Sequence, residues 1–169
     1  MTLFQRWRER VLANSGVASA RVRYTRKSSK DDSRQVASHE QQGLECDREW
    51  GPISPTWVWA DSTSGRSFLR PAFEDLLDYC QSHRQPDDAP GVVEMYDPAR
   101  FGRSVDSAGR PDVMAFLATY AKFRDCGWKL RFVTVKLTGD SLGDVLMMAI
   151  YAYAAAVYSE AISKSARRG

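Results

Sequence analysis

From residue 20 the chain alternates apolar and polar side chains. Ala20, Val22 and Tyr24 are interleaved with arginine and threonine, the two-residue period of a strand with one buried face, which predicts a strand over 20–27. A charged loop follows, and Ser38-His39-Glu40-Gln41-Gln42 reads as a helix start within a helix spanning 35–50, with Val36, Leu44 and Cys46 on its apolar side. The segment PTWVWAD, residues 55–61, has the aromatic and β-branched character of a short second strand. In residues 70–83, Pro71 suits a first helical turn, and Phe73, Leu76, Leu77 and Cys80 recur at helical spacing. A loop over 85–91 leads into a third strand, VVEMYD, at 92–97. Val113, Phe116, Leu117, Tyr120 and Phe123 mark a helix over 111–126, and after Gly127 the run WKLRFVTV, 128–135, is a fourth strand. The final helix, roughly 143–165, carries one apolar stripe through Leu142, Val145, Leu146, Ala149, Tyr153, Ala156 and Val157. Met147, Met148, Ile150 and Tyr151 extend its apolar character around the other side, so one stripe suits the domain's own sheet and a second suits a partner subunit.

Strands alternating with helices imply βα units and an α/β fold, with a mainly parallel central sheet between layers of helices. In such sheets the loops after the strands gather on one edge, where ligands bind. That edge would collect Arg26–Ser29, Asp61–Gly65 and Asp97–Arg103, all rich in Arg, Ser, Asp or Gly.

Composition narrows the class without naming a function. A chain of 169 residues that is 43% hydrophobic and 27% charged fits one globular domain with a real core. The net charge of +3 does not announce a nucleic-acid binder, although 24 Lys and Arg allow local basic patches. No apolar run reaches the roughly 18 residues of a membrane span. The first 15 residues lack the apolar core of a secretory signal and read as a short helix or an arm. Cys46, Cys80 and Cys126 are odd in number and far apart, as expected of reduced core thiols in a cytoplasmic protein. His39 and His83 have no companion ligands, so no metal site is expected.

The end of the first strand raises the chemical question, because two serines there are flanked by cations. Serine is a poor nucleophile unless activated, and neither histidine has the companions of a hydrolase triad. There is no G-x-S-x-G elbow and no phosphate-binding P-loop. The candidate partners are instead Arg26, Arg70, Arg100 and Arg103. Guanidiniums bind phosphate oxygens in a bidentate way, remain charged, and stabilise the charge that develops in phosphoryl transfer. Each loop alone is an ordinary polar turn, and the order and spacing of all of them carry the information.

That order resembles the catalytic domain of the serine recombinases, the resolvase/invertase group, and most closely the large serine integrases. The family's Tyr-x-Arg-x-Ser appears as Tyr24-Thr25-Arg26-Lys27-Ser28, which assigns the nucleophile to Ser28 rather than Ser29. Ser38 and Gln42 match a serine four residues before a glutamine on the first long helix. Asp61, Ser64 and Gly65 match the next loop, followed by Arg70 with Pro71 behind it. Arg100 and Arg103 match the arginines after the third strand, while Ala99 stands where the smaller members carry an aspartate. Asp97 lies two positions earlier, as in some large integrases, where it could orient Arg100 or Arg103 through a charge-assisted hydrogen bond. Residues 157–169 resemble the end of the family's long final helix.

The resemblance implies a resolvase-like three-layer domain with a long C-terminal helix. It also implies site-specific recombination of double-stranded DNA: Ser28 attacks a backbone phosphate to give a 5′-phosphoserine link, then strands are exchanged and rejoined. Arg26, Arg70, Arg100 and Arg103 would act with Ser28, supported by Tyr24, Gln42, Asp61, Ser64 and Asp97. No cofactor, metal or ATP is implied. The partners would be DNA and other copies of the chain, a dimer that becomes a tetramer in the synapse, in the cytoplasm of a bacterial cell and encoded by a phage or mobile element. The expected organisation is an arm at 1–19, a catalytic core at 20–142 and an oligomerisation helix at 143–169 leading to DNA-binding domains absent from this chain. The alternatives are a catalytically inactive DNA-associated assembly domain of the same fold, which Ala99 favours, and an unrelated phosphate-binding enzyme such as a phosphatase.

Overall fold

The computed structural model describes residues 19–27, 38–62, 70–101, 112–138 and 142–151, together with 153, 154 and 157. Ser28, Ser29, Val36, Ser64, Gly65 and Arg103 lie outside the described residues, as does the final helix beyond 157. The elements are β1 (Arg21–Lys27), α1 (His39–Trp50), β2 (Val58–Ser62), α2 (Pro71–Ser82), β3 (Gly91–Met95), α3 (Pro98–Phe101), α4 (Val113–Asp125) and β4 (Trp128–Phe132). A last helix, α5, is helical over 142–151 and at 153, 154 and 157. Among the described residues four strands form one sheet in the order β2-β1-β3-β4, and each of their pairings is parallel.

The alternation along β1 divides the two faces of this sheet. Val22 and Tyr24 enter a core shared with Trp59, Val93, Met95, Trp128, Leu130 and Phe132 of the other strands. Helices α2 and α4 cover that face with Phe73, Leu76, Cys80, Phe116 and Phe123. The opposite face is ionic. Glu94 accepts hydrogen bonds from Arg21, Arg23 and Arg131, while Arg23 also donates to Asp47 of α1 at 2.7 Å. A parallel sheet normally shows near-continuous apolar strands because both faces are greasy. Here one face carries paired charge, so the strands read as half-buried.

That ionic face corrects one expectation. Leu44, expected on the apolar side of α1, is 51% exposed, and the inward positions are Gln42 and Cys46. Two residues along a helix are about 200° apart, so burying Gln42 turns Leu44 outward. Helix α1 is delimited by Ser38, whose hydroxyl accepts from Gln41 N at 3.1 Å.

Other boundaries shift for local reasons. Pro55–Trp57 is a 3-10 turn rather than the start of a strand, because Pro55 has no N–H for a ladder and Trp57 N instead bonds Ser54 O at 2.9 Å. β3 ends at Met95, so Asp97 is not on a strand but immediately before α3, a four-residue helix the pattern did not predict. β4 ends at Phe132, although Val133 N and Thr134 N continue to bond Met95 O and Tyr96 O at 3.1 Å. The turn from α4 into β4 depends on Gly127, whose φ is +81° and where a Cβ would lie 2.0 Å from the Gln85 carbonyl oxygen.

In α5 the inward residues are Asp144 and Met148, with Met147 packed against the core. Asp144 holds the preceding loop by accepting from Thr138 N at 2.7 Å. Leu142, Leu146, Ile150, Tyr153 and Val157 are exposed. Met147 and Met148 therefore serve the domain's own core, whereas Ile150 and Tyr151, expected on the same side as the methionines, face outward with the leucine-bearing stripe. Cys46, Cys80 and Cys126 are free and buried, and burial pushes all three thiols up, Cys46 to about 11. No described helix is long and apolar enough to cross a membrane.

Candidate active site

The C-terminal ends of β1 and β2 lie side by side, with Arg26 opposite Asp61 and Lys27 opposite Ser62. α3 follows β3 on the same edge. Arg26 donates from Nη2 to the carbonyl of Ala99 at 2.7 Å, and Arg100 donates from Nη1 to the carbonyl of Arg26 at 3.3 Å. Arg70 donates to the carbonyl of Phe101 and stacks its guanidinium 4.1 Å above the Phe73 ring. Three arginines from three separate segments thus meet around one short helix. The carbonyl end of a helix attracts cations, which gives α3 a physical part in drawing them together.

Each arginine is held by a different device. Gln42, fully buried on α1, brackets the Arg26 backbone: its Oε1 accepts from Arg26 N at 3.2 Å and its Nε2 donates to Arg26 O at 3.0 Å. Asp61 fixes Arg70 indirectly. Its carboxylate accepts from Ala72 N and Phe73 N at 3.1 Å and so caps α2 from a neighbouring strand, immediately behind Arg70. Tyr24 completes the set by donating its hydroxyl to Asp61 Oδ2 at 2.9 Å, with its ring edge-on to Phe73. Burial and then the Asp61 carboxylate push the Tyr24 hydroxyl well above the usual tyrosine range, so it remains a donor. Asp97 lies 3.4 Å from Arg100 Nε, an ion pair looser than the expected hydrogen bond.

Of the ten candidate residues, Tyr24, Arg26, Gln42, Asp61, Arg70, Asp97 and Arg100 lie on this edge, while Ser28, Ser64 and Arg103 lie outside the described residues. His39 is a further member that sequence reasoning set aside. Its Nδ1 meets Thr25 Oγ1 and its Nε2 meets Ser62 Oγ, both at 2.9 Å. The available signal was its place directly after a helix-capping serine, which points it back at the strand ends. Among the described residues no His, Cys, Asp or Glu set could hold a metal ion.

Residues 21–169 match the family model described as the resolvase N-terminal domain. The chain belongs to this family. Its members are serine recombinase catalytic domains that act in site-specific DNA recombination, bind DNA and work as oligomers. The resolvase-like α/β fold, with its parallel sheet and flanking helices, accords with that membership. Among solved structures, the chain is similar to the C-terminal catalytic domain of ISC1926 TnpA, an IS607-like serine recombinase, at 16% identity and a TM-score of 0.47, covering 85% of this chain and 96% of that one. No curated protein matches the sequence.

Proposed function

We propose that this resolvase-family chain is the catalytic domain of a serine recombinase of the large serine integrase kind, with Ser28 as nucleophile. Ser28 Oγ attacks a backbone phosphorus of double-stranded DNA, the 3′-oxygen leaves as a hydroxyl, and the 5′-phosphate stays on the serine. After exchange, a 3′-hydroxyl from the other strand attacks the phosphoserine and Ser28 departs. Each ester bond broken is matched by one formed, so the reaction needs no ATP. Arg26, Arg70, Arg100 and Arg103 supply the positive charge that the pentacovalent transition state demands, without a metal.

The observation that carries this reading is the meeting of Arg26, Arg70 and Arg100 around α3, one strand-end away from the residue before Ser28. Tyr24, Gln42, Asp61 and Asp97 serve as the supports for those guanidiniums, and Ser64 is a further supporting residue. The core at 20–142 performs the chemistry, and the helix at 143–169 joins subunits through its outward stripe, giving a dimer and then a synaptic tetramer. The second reading, an inactive assembly domain, is favoured by Ala99, which contributes only a carbonyl where smaller relatives carry a carboxylate.

Incubation of the chain with nicked duplex DNA, in the presence of a metal chelator, separates these readings. The active reading predicts covalent protein–DNA adducts that vanish in Ser28→Ala and persist at least in part in Ser29→Ala. Adducts that survive Ser28→Ala reject the nucleophile.

A further inference from the structure

His39 stands at the first position of α1, and its ring spans the gap between two strands. Nδ1 is 2.9 Å from the Thr25 hydroxyl on β1, and Nε2 is 2.9 Å from the Ser62 hydroxyl on β2. Both hydroxyls lie on the α1 face of the sheet, and each is within three residues of the end of its strand. Ser28 is the residue directly after β1 in the sequence, and Ser64 is the second residue after β2. A neutral imidazole has one donor and one acceptor nitrogen. One hydroxyl therefore accepts from the ring while the other donates to it, and both strand ends are held by a single rigid side chain.

We propose that His39 is a positioning residue for recombination, fastening the end of β1 to the end of β2 and so fixing the points from which the chain continues to Ser28 and to Ser64. The inference rests on the reading of Ser28 as nucleophile. It goes beyond that reading by giving the site a tether outside the arginine set.

The charges around the ring favour its neutral form. Burial, Lys27 of β1 and Arg100 of α3 hold the imidazole below its ordinary range, and Asp61 of β2 opposes them only in part. Protonation would make both nitrogens donors and force one hydroxyl to reverse its bond. It would also add a cation beside Lys27 and Arg100. The tether therefore works in neutral solution and weakens as acid charges the ring.

Two measurements on the whole chain test this. The first is amide hydrogen exchange. His39→Ala should raise exchange at 25–27 and 61–62 while Val93 and Leu130 keep their protection, and His39→Gln, whose amide also offers one donor and one acceptor, should restore it in part. Unchanged exchange in His39→Ala overturns the tether. The second is the rate of covalent adduct formation on a pool of nicked duplexes randomised in sequence. His39→Ala should slow it by up to about 100-fold, the scale of a misplaced reacting group. The wild-type rate should hold through the ordinary histidine range and fall only as pH drops below it, and His39→Gln should lose that dependence. A His39→Ala rate equal to wild type overturns the positioning role. If the wild-type chain forms no adduct on any duplex, the nucleophile reading fails, and the exchange measurement alone decides whether His39 ties the strand ends.

Discussion

Asp61 shows how much one buried carboxylate can hold. It takes the Tyr24 hydroxyl and two backbone N–H groups of α2, all within 3.1 Å. Asp61→Ala removes the acceptor for three donors, two of them in buried hydrogen bonds, and a loss of about 3 kcal/mol is expected by urea unfolding. Tyr24→Phe removes one donor and leaves the cap intact, so about 1 kcal/mol is expected. Equal losses would mean that Asp61 does not cap α2. Glu94 is a second such centre. Burial alone would raise its carboxyl, but the bonds from Arg21, Arg131 and Arg23 outweigh burial and hold it below its ordinary value. A depressed carboxyl contributes stability above its unfolded pKa, about 4.3, and loses it as pH falls through the folded value. Glu94→Gln should therefore cost roughly 3–5 kcal/mol at neutral pH, by stranding its arginines, and flatten the acid limb of the stability curve. An acid limb identical to wild type would contradict this role. The motif residues Tyr24, Arg26 and Asp61 were legible in the sequence through their spacing. What spacing could not convey was division of labour: Asp61 is occupied with a helix end and Tyr24 with Asp61, contacts that exist only once β1, β2 and α2 are assembled.

At the scale of elements, the four strands and the helices α2 and α4 were legible because their apolar positions meet an apolar core. Helix α1 was misjudged on its faces, because its partner surface is the ionic side of the sheet. An apolar residue such as Leu44 has no place there, whereas Gln42 can satisfy the Arg26 backbone. Leu44→Lys should accordingly change stability by no more than about 0.5 kcal/mol. Gln42→Leu, similar in size, should cost about 2 kcal/mol by withdrawing both bonds to Arg26. Thermal unfolding of the pair checks the assignment, and the reverse order of effects would mean that α1 is rotated. Helix α3 escaped notice for a different reason. Four residues make barely one turn, too few to show a period, yet its carbonyls are where Arg26 and Arg70 are tied.

Across the whole molecule, the alternation of strands and helices was enough to foresee layers around a parallel sheet, and the family match accords with it. The apolar character all round α5 was legible, but its division into sides was not: Met148 reaches the core and Asp144 holds the loop before it, while Ile150 and Tyr151 turn outward with Leu142 and Leu146. The outward stripe of Leu142, Leu146 and Ile150 then predicts association. The mass measured by light scattering should rise with concentration in the wild-type chain, while Leu146→Glu combined with Ile150→Glu should remain monomeric and folded. A wild-type chain that stays monomeric at high concentration would count against α5 as the subunit contact. The central claim is that Ser28 becomes covalently joined to DNA. Its most direct measurement is mass spectrometry of the protease-digested adduct, locating the nucleotide remnant and its polarity. The account predicts a 5′-phosphate esterified to Ser28. A remnant on any other residue, or a 3′-phosphate link, would contradict it.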